Sequence, residues 1–210
     1  LSALSSGFTI MFLFFFFSHF GRRLAENNYT EEITGNKLFS VMAAGVIGSL
    51  AYTFSDSFWF SAVEGEVYAL SSFFTAVVFW MILKWEHEDI KAGDDDLKRT
   101  HAERWIILIF FMMGLSIGVH LLNLLTIPAI VMVYYFRRYK PTWSGGTIAF
   151  IIGCIVTGIV QKAVIQWSVA SAGWFDRLFV NSFNLPFFSG FIFFFLLVAG
   201  LIWIGLRFAQ

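Results

Sequence analysis

The sequence predicts an all-α, polytopic transmembrane helical bundle, and three observations support that prediction. Hydrophobic residues make up 58% of the chain and charged residues only 13%, whereas a soluble domain carries about 25% charged residues. Apolar stretches recur along the chain, and about 20 apolar residues suffice to cross a hydrocarbon core of about 30 Å. Basic residues alternate between successive connections. The formal net charge of zero argues against nucleic acid as a partner.

Hydropathy predicts about seven membrane segments in the chain. Their approximate ranges are 1–20, 38–56, 67–85, 105–118, 121–136, 147–167 and 187–206. We expect them to form a single transmembrane domain over residues 1–210. We also expect this domain to be a fragment of a longer polypeptide, because the sequence begins at Leu1 within an apolar segment.

The distribution of Lys and Arg predicts which connections face the cytoplasm. All of the 14 basic residues except Lys162 and Arg177 lie in or beside one alternating set of connections. The positive-inside rule places that set in the cytoplasm. The set includes residues 86–104, which we expect to be a solvated cytoplasmic loop because they mix both charges without apolar periodicity. The same alternation requires a break within residues 114–123, which divides 105–136 into two short helices.

Carboxylates interrupt an aromatic run on the opposite, outer side. Residues 58–74 read FWFSAVEGEVYALSSFF, with Glu64 and Glu66 inside the run and Asp56 just before it. An acidic residue at the centre of a membrane helix costs ~2.5–3.5 kcal/mol, so a cation, a proton or a helix N-terminus must compensate it. Glu66 in a first helical turn would gain ~0.3–1 kcal/mol from the helix dipole, which is the structural alternative to a binding role. Glu64 and Glu66 can converge on one ligand only if Glu64 lies in a loop, and Gly65 permits such a bend.

Further polar residues lie in or beside the predicted membrane segments on the same side. Ser116, His120 and Asn123 form an i, i+4, i+7 stripe around the predicted break. His120 is a candidate metal ligand or proton acceptor beside Glu66, although an interhelical hydrogen bond would equally explain a histidine there.

Basic and amide side chains in the sixth segment suggest an anion site. Lys162 and Gln166 share a helical face, and Arg177 follows in the next outer connection. They are candidates for binding the phosphate of a lipid-linked group. The alternative for Lys162 is snorkelling of its ammonium group to the outer interface.

Two runs of the sequence resemble a known family. Residues 57–86, SFWFSAVEGEVYALSSFFTAVVFWMILKWE, and residues 114–130, GLSIGVHLLNLLTIPAI, resemble a family of large bacterial membrane proteins with a domain of unknown function. That family is related to protein O-mannosyltransferases and has the GT-C glycosyltransferase architecture. The resemblance covers essentially the whole chain. It implies transfer of a sugar from a polyprenyl-phosphate donor to a protein or envelope acceptor, on the periplasmic face of the bacterial inner membrane.

The resemblance also implies roles for the candidate residues. The family's acidic catalytic motif is expected in the first outer loop, and this chain begins after that loop, so no catalytic residue is named. Lys162, Arg177 and Gln166 are the candidates for the lipid phosphate. A second group of candidate residues would orient the acceptor or bind a divalent metal ion. This group consists of Asp56, Glu64, Glu66, His120 and Asn123. The aromatic helices would form the groove for the membrane lipid chain.

Two other functional classes stay open at the level of sequence. In an ion- or proton-coupled transporter, Glu64, Glu66, His120 and Lys162 would form the translocation path. The acidic residues cluster on one side and no inverted repeat is evident, which disfavours this class. A non-catalytic membrane subunit of a larger complex is the third alternative.

Overall fold

The computed structural model describes residues 1–26, 33–65, 67–93 and 95–208, and these residues are almost wholly helical and form no strand. The α-helices are α1 Ser2–Ala25, α2 Gly35–Thr53, α3 Asp56–Val63, α4 Tyr68–Ala92, α5 Asp96–Val119, α6 Thr126–Arg138, α7 Trp143–Ile159, α8 Ser168–Phe183 and α9 Ser189–Phe208. A 3₁₀ helix, Leu121–Leu125, precedes α6, and a π-helix, Val160–Trp167, joins α7 to α8.

The helices have the length and composition that a membrane protein requires. Six helical segments are long and apolar enough to cross a bilayer, and the number is seven if the bent pair α2 and α3 forms one span. The predicted all-α transmembrane bundle of about seven segments is therefore confirmed. The chain divides into two compact units, Leu1–Gly153 and Cys154–Gln210. A single transmembrane domain over residues 1–210 stays a prediction.

In the first unit, α1 and α4 run parallel to each other. Near the start of both helices the Ser2 hydroxyl donates to the backbone carbonyl of Glu64 at 3.1 Å. Near their ends Arg23 Nη1 donates to both carboxylate oxygens of Glu86 at 3.0 Å. Aromatic pairs fill the interface between these points, with ring centroids 6.0 Å apart for Phe8–Phe73 and 6.5 Å apart for Phe16–Phe79.

The following helices alternate in direction around α4. α5 returns antiparallel to α4, because it begins at Asp96, just after α4 ends at Ala92, while Ser116 near its other end is joined through Asn123 to Ser71 near the start of α4. Trp105 contacts Trp80 between these points, at 5.9 Å between ring centroids. α6 then runs parallel to α4, and Tyr134 stacks on Trp85 at 5.8 Å. We call the end where α1, α4 and α6 terminate the basic end, since Arg22, Arg23, Arg137 and Arg138 lie there. The four arginines lie at the same end of the first unit, as the charge alternation requires. The compartment that this end faces stays a prediction.

A buried carboxylate joins α4 to α6 at the basic end. Asp89 is only 3% exposed, and its carboxylate oxygens lie 2.6 Å from Arg137 Nε and 3.0 Å from Arg138 Nη2. The Arg137 Nε–H does not point at an acceptor in hydrogen-bond geometry, so that contact is an ion pair only. Arg137 Nη2 also donates to the Asp89 backbone carbonyl at 3.0 Å. A buried carboxylate needs such compensation, because removing one partner of a buried pair typically costs about 3–5 kcal/mol.

The structure changes the prediction of a loop over residues 86–104. α4 continues to Ala92 and α5 begins at Asp96. Charged residues do not interrupt a helix when the local residues are good helix formers. Gly93, at a φ of 53°, ends α4. Asp95 caps α5 by accepting hydrogen bonds from the backbone N–H of Lys98 and Leu97, and the bonds from Lys98 above all lower the pKa of its carboxyl.

Two predicted outer connections are also helical. Residues 56–66 contain α3, which bends away from α2 by 67°. Residues 168–186 contain α8, and the helical run from Trp143 to Phe183 is continuous over 41 residues. That run is longer than the ~20 residues that cross a bilayer directly. Hydropathy marks only the apolar portion of a helix, so it ended the predicted segment at residue 167.

Small and hydroxyl-bearing residues form much of the helix interfaces. The buried residues of α1 are Ser5, Ser6 and Thr9, whereas Leu4 on the same helix is 66% exposed. In the second unit, α9 crosses α8 at Gly190, where a Cβ would overlap the carbonyl group of Phe175 and lie 2.6 Å from the Asp176 Cα. Because lipid tails are as apolar as the side chains, membrane helices associate through such close backbone contacts.

We therefore expect Gly190→Ala to destabilise the α8–α9 pair. The added methyl group meets backbone atoms that cannot rotate away, and overpacking of this kind costs about 1–3 kcal/mol. Thermal unfolding in detergent, followed by circular dichroism, measures the effect as a lower Tm. Gly200→Ala on the same helix is the control, since no atom lies within 4 Å of its Cβ position. Equal Tm values for the two variants would contradict the assigned crossing.

Candidate functional site

A cavity of about 420 Å³ lies between α1 and α4 in the half of the first unit where these helices begin. Its volume falls within the range of ~300–1,000 Å³ that is usual for ligand sites. One wall is apolar and contains Phe12, Leu13, Phe16 and Phe79. Hydroxyl groups lie on other parts of the lining and come from Thr9, Tyr52, Ser71, Ser72 and Thr75. An aromatic cavity with hydroxyls on part of its lining suits a ligand with an apolar chain and a polar group.

Asn123 links three helical elements beside this cavity. Its side chain is buried, and Oδ1 lies 2.6 Å from Thr75 Oγ1 and 3.3 Å from Ser71 Oγ on α4. Nδ2 donates to the backbone carbonyl of Ser116 on α5 at 3.4 Å. The Thr75 hydroxyl also lies 3.0 Å from the Ser71 carbonyl, and its single hydrogen serves one acceptor at a time. The sequence predicts Asn123 as a site residue, and the structure places its amide oxygen against the hydroxyls of Ser71 and Thr75, which line the cavity.

His120 ends α5 in the predicted interval for the helix break. Its φ of −156° takes the chain out of the helix, so Ser116, His120 and Asn123 do not form one helical stripe. Nδ1 accepts a hydrogen bond from the backbone N–H of Leu122 at 3.1 Å. A neutral imidazole then carries its proton on Nε2, which makes His120 a hydrogen-bond donor in this arrangement. The ring lies 5.6 Å from the Tyr68 ring at the start of α4.

The acidic candidates do not all converge. Glu64 is exposed in the connection after α3, with extended backbone angles, as convergence with Glu66 requires. Glu66 lies outside the described residues, so that convergence stays a prediction. Asp56 is exposed in the first turn of α3. It is eight residues from Glu64 and about 12 Å away along the helix axis, so Asp56 and Glu64 are too far apart for one shared ion.

The phosphate candidates lie in the second unit. Lys162 and Gln166 are exposed on the π-helix, a conformation that often marks functional positions. Arg177 is exposed on α8 rather than in a loop. Fifteen residues of continuous helix separate Lys162 from Arg177, which corresponds to roughly 20 Å. The two cations therefore cannot bind the same phosphate through their side chains.

No three His, Cys, Asp or Glu side chains come together as a metal site within the described ranges. The metal candidates from the sequence are thus not assembled into one group among those residues.

Sequence reasoning missed Ser71, Thr75 and Thr9 as lining residues. Ser71 and Thr75 are four residues apart in an apolar helix and therefore share one face. That spacing was an available signal. Serine and threonine are so common in membrane helices, through bonds to their own backbone, that the spacing alone does not predict a site.

We expect Asn123→Leu to loosen the contact between α4 and the 3₁₀ helix. Leucine has roughly the size of asparagine but offers no acceptor to the hydroxyls of Ser71 and Thr75. The free energy of unfolding should therefore fall by about 1 kcal/mol. Thermal unfolding should show a Tm lower by about 2–4 °C. Asn181→Leu replaces an exposed amide on α8 and should leave the Tm unchanged. An unchanged Tm for Asn123→Leu would show that the amide does not hold the two helices together.

Comparison with known proteins identifies the family of the first unit. No curated protein and no solved structure matches the chain. A family model described as the protein O-mannosyl-transferase TMEM260 N-terminal domain matches residues 1–143 of the 210. The match covers the cavity, Glu64, His120 and Asn123, whereas Lys162, Gln166 and Arg177 lie beyond it. The predicted relation to protein O-mannosyltransferases is thereby confirmed, and the chain belongs to the family of the protein O-mannosyl-transferase TMEM260 N-terminal domain.

Proposed function

We propose that this protein is a membrane glycosyltransferase that transfers a sugar from a polyprenyl-phosphate donor to a protein or envelope acceptor. The family match over residues 1–143 is the observation that carries this proposal. The family description makes mannose the first sugar to test. We further propose a GT-C architecture and transfer on the periplasmic face of a bacterial inner membrane, in keeping with the sequence resemblance.

The cavity between α1 and α4 is the proposed site for part of the donor. A polyprenyl chain is an apolar hydrocarbon, and the rings of Phe12, Phe16 and Phe79 offer a matching wall. The hydroxyls of Ser71 and Thr75 lie next to that wall, and both are within hydrogen-bond distance of Asn123 Oδ1. Asn123 accepts their hydrogens and so leaves their oxygens to accept from hydroxyl groups of the sugar.

Transfer of the sugar requires further functional groups around its anomeric carbon. The acceptor hydroxyl needs a base, and the departing lipid phosphate needs positive charge or hydrogen-bond donors. We propose that Glu64 orients the acceptor, since its side chain is exposed at the end of the first unit where α4 begins. His120 is proposed as a donor through Nε2. Lys162 or Arg177 is proposed for the phosphate, and only one of the two can serve there. Glu66 stays a proposal from the sequence.

We expect Ala76→Phe to impair transfer by filling the cavity. Ala76 is a lining residue on α4, and an added phenyl ring there would exclude part of the lipid chain. The rate with polyprenyl-phosphate mannose should fall by roughly tenfold at low donor concentration and recover in part at high donor concentration. The assay measures radiolabelled sugar in protein after incubation of membranes containing the natural full-length chain.

The matched control for the cavity variant is Ala199→Phe, which places the same ring on an exposed position of α9. Full activity in Ala76→Phe, with normal insertion, would remove the cavity from the donor site. A natural chain that transfers no sugar from any polyprenyl-phosphate donor would overturn the proposed function itself.

We expect Glu64→Gln and Lys162→Ala each to lower transfer with normal membrane insertion. Loss of one charged interaction with the reacting groups corresponds to roughly ten- to hundredfold in rate. Glu103→Gln and Lys140→Ala are the matched controls, since both replace charged groups of α5 and of the α6–α7 connection outside the proposed site. Full activity in both test variants would exclude these residues from the mechanism. Glu66→Gln tests the remaining acidic residue in the same assay.

A further inference from the structure

A second pocket lies between α1 and α4 near the basic end, away from the cavity of the proposed function. Its volume is about 410 Å³. The polar side chains that line it are Ser18, His19, Arg22, Lys84 and His87. All of these side chains carry hydrogen-bond donors or can carry them, and none is a carboxylate. We call this cavity the basic pocket.

One lysine, Lys84, and one arginine, Arg22, give the basic pocket its charge. Within the described residues, no carboxylate lies within ion-pair distance of Lys84. Its ammonium group instead lies 5.7 Å from the centre of the Trp80 ring, which holds the cation by a cation–π contact. Arg22 binds Glu26 at 2.9 Å through Nε. That bond uses one of the five N–H donors of the guanidinium group.

Two carboxylates beside the basic pocket are paired with arginines. Glu26 binds Arg22, and both carboxylate oxygens of Glu86 accept from Arg23. Among the charged side chains that line the pocket, Lys84 is therefore the one that no described carboxylate pairs with at ion-pair distance. The imidazole rings of His19 and His87 lie 6.4 Å apart between centroids on the two facing helices.

We propose that the basic pocket binds the phosphate of an anionic phospholipid. Phosphate is the anion that lysine, arginine and hydroxyl donors bind at such clusters, and basic pockets between membrane helices bind anionic head groups. The pocket lies between two membrane-spanning helices, and Phe15 in its wall is 39% exposed, which offers an apolar path for the acyl chains. This lipid is distinct from the sugar donor, whose proposed cavity lies nearer the opposite end of the same helices.

Lipid retention tests the proposal without reference to transferase activity. The natural full-length chain is purified in detergent, mixed with phosphatidylglycerol or phosphatidylcholine, and analysed by native mass spectrometry. We expect preferential retention of phosphatidylglycerol. Lys84→Gln should weaken that retention by about fivefold, the effect of one basic residue at an anionic membrane surface. Lys84→Arg should preserve it, because the charge remains.

Lys140→Gln is the matched control, since it removes a lysine from the α6–α7 connection outside the basic pocket. If Lys84→Gln fails to fold, Lys84→Met carries the test. It removes the same charge, keeps an apolar stem of similar length, and should weaken retention by about fivefold as well.

Three outcomes would overturn the assignment. Equal retention of the two lipids by the natural chain would remove the requirement for an anionic head group. Equal phosphatidylglycerol retention by the natural chain and by a folded Lys84→Gln or Lys84→Met variant would place the lipid elsewhere. Thermal protection by millimolar inorganic phosphate, without preference for phosphatidylglycerol, would assign the pocket to free phosphate instead.

Discussion

Helices surrounded by lipid cannot gain stability by hiding apolar side chains from water, and this constraint shapes the whole structure. Association must come from close packing and from polar contacts that lipid cannot replace. The described helices follow this rule, since α1 buries Ser5, Ser6 and Thr9 and leaves large apolar residues at the surface. Gly190 lets α9 approach the backbone of α8. On α1, small hydroxyl-bearing residues therefore mark the buried face, whereas the central helix α4 also buries large apolar residues such as Val78 and Ile82.

The same constraint explains why two buried polar groups fix the two ends of the first unit. Asp89 joins α4 to α6 through two arginines at the basic end, and Asn123 joins α4 to α5 and the 3₁₀ helix at the other. Asp89 forms ion pairs with two arginines of α6, and the Asn123 amide forms hydrogen bonds with α4 and α5. Between these points the contact of α1 with α4 is mostly aromatic, and large rings leave spaces that backbone contacts would close. Both pockets with proposed ligands lie along that one interface.

The sequence predicted the membrane bundle and the break before Asn123, because hydropathy and charge alternation report directly on contact with lipid and on topology. It did not predict that α4 and α5 extend through residues 86–104, since a solvated helix needs no apolar periodicity. The role of His120 depends on which ring nitrogen faces the Leu122 N–H. The separation of Lys162 from Arg177 depends on a helix continuing to Phe183. Neither geometry leaves a signal in residue type or spacing.

The family match and the geometry support the candidate residues unequally. Residues 1–143 contain Glu64, His120 and Asn123, together with the cavity lined by Phe12 and Thr75. Lys162 and Arg177 lie beyond the match and about 20 Å apart along one helix. A phosphate bound in the first unit does not require either of them, since the Nε2–H of His120 is a donor within the matched region. The proposed donor site therefore depends on residues of the first unit, and Lys162 stays a candidate from the sequence.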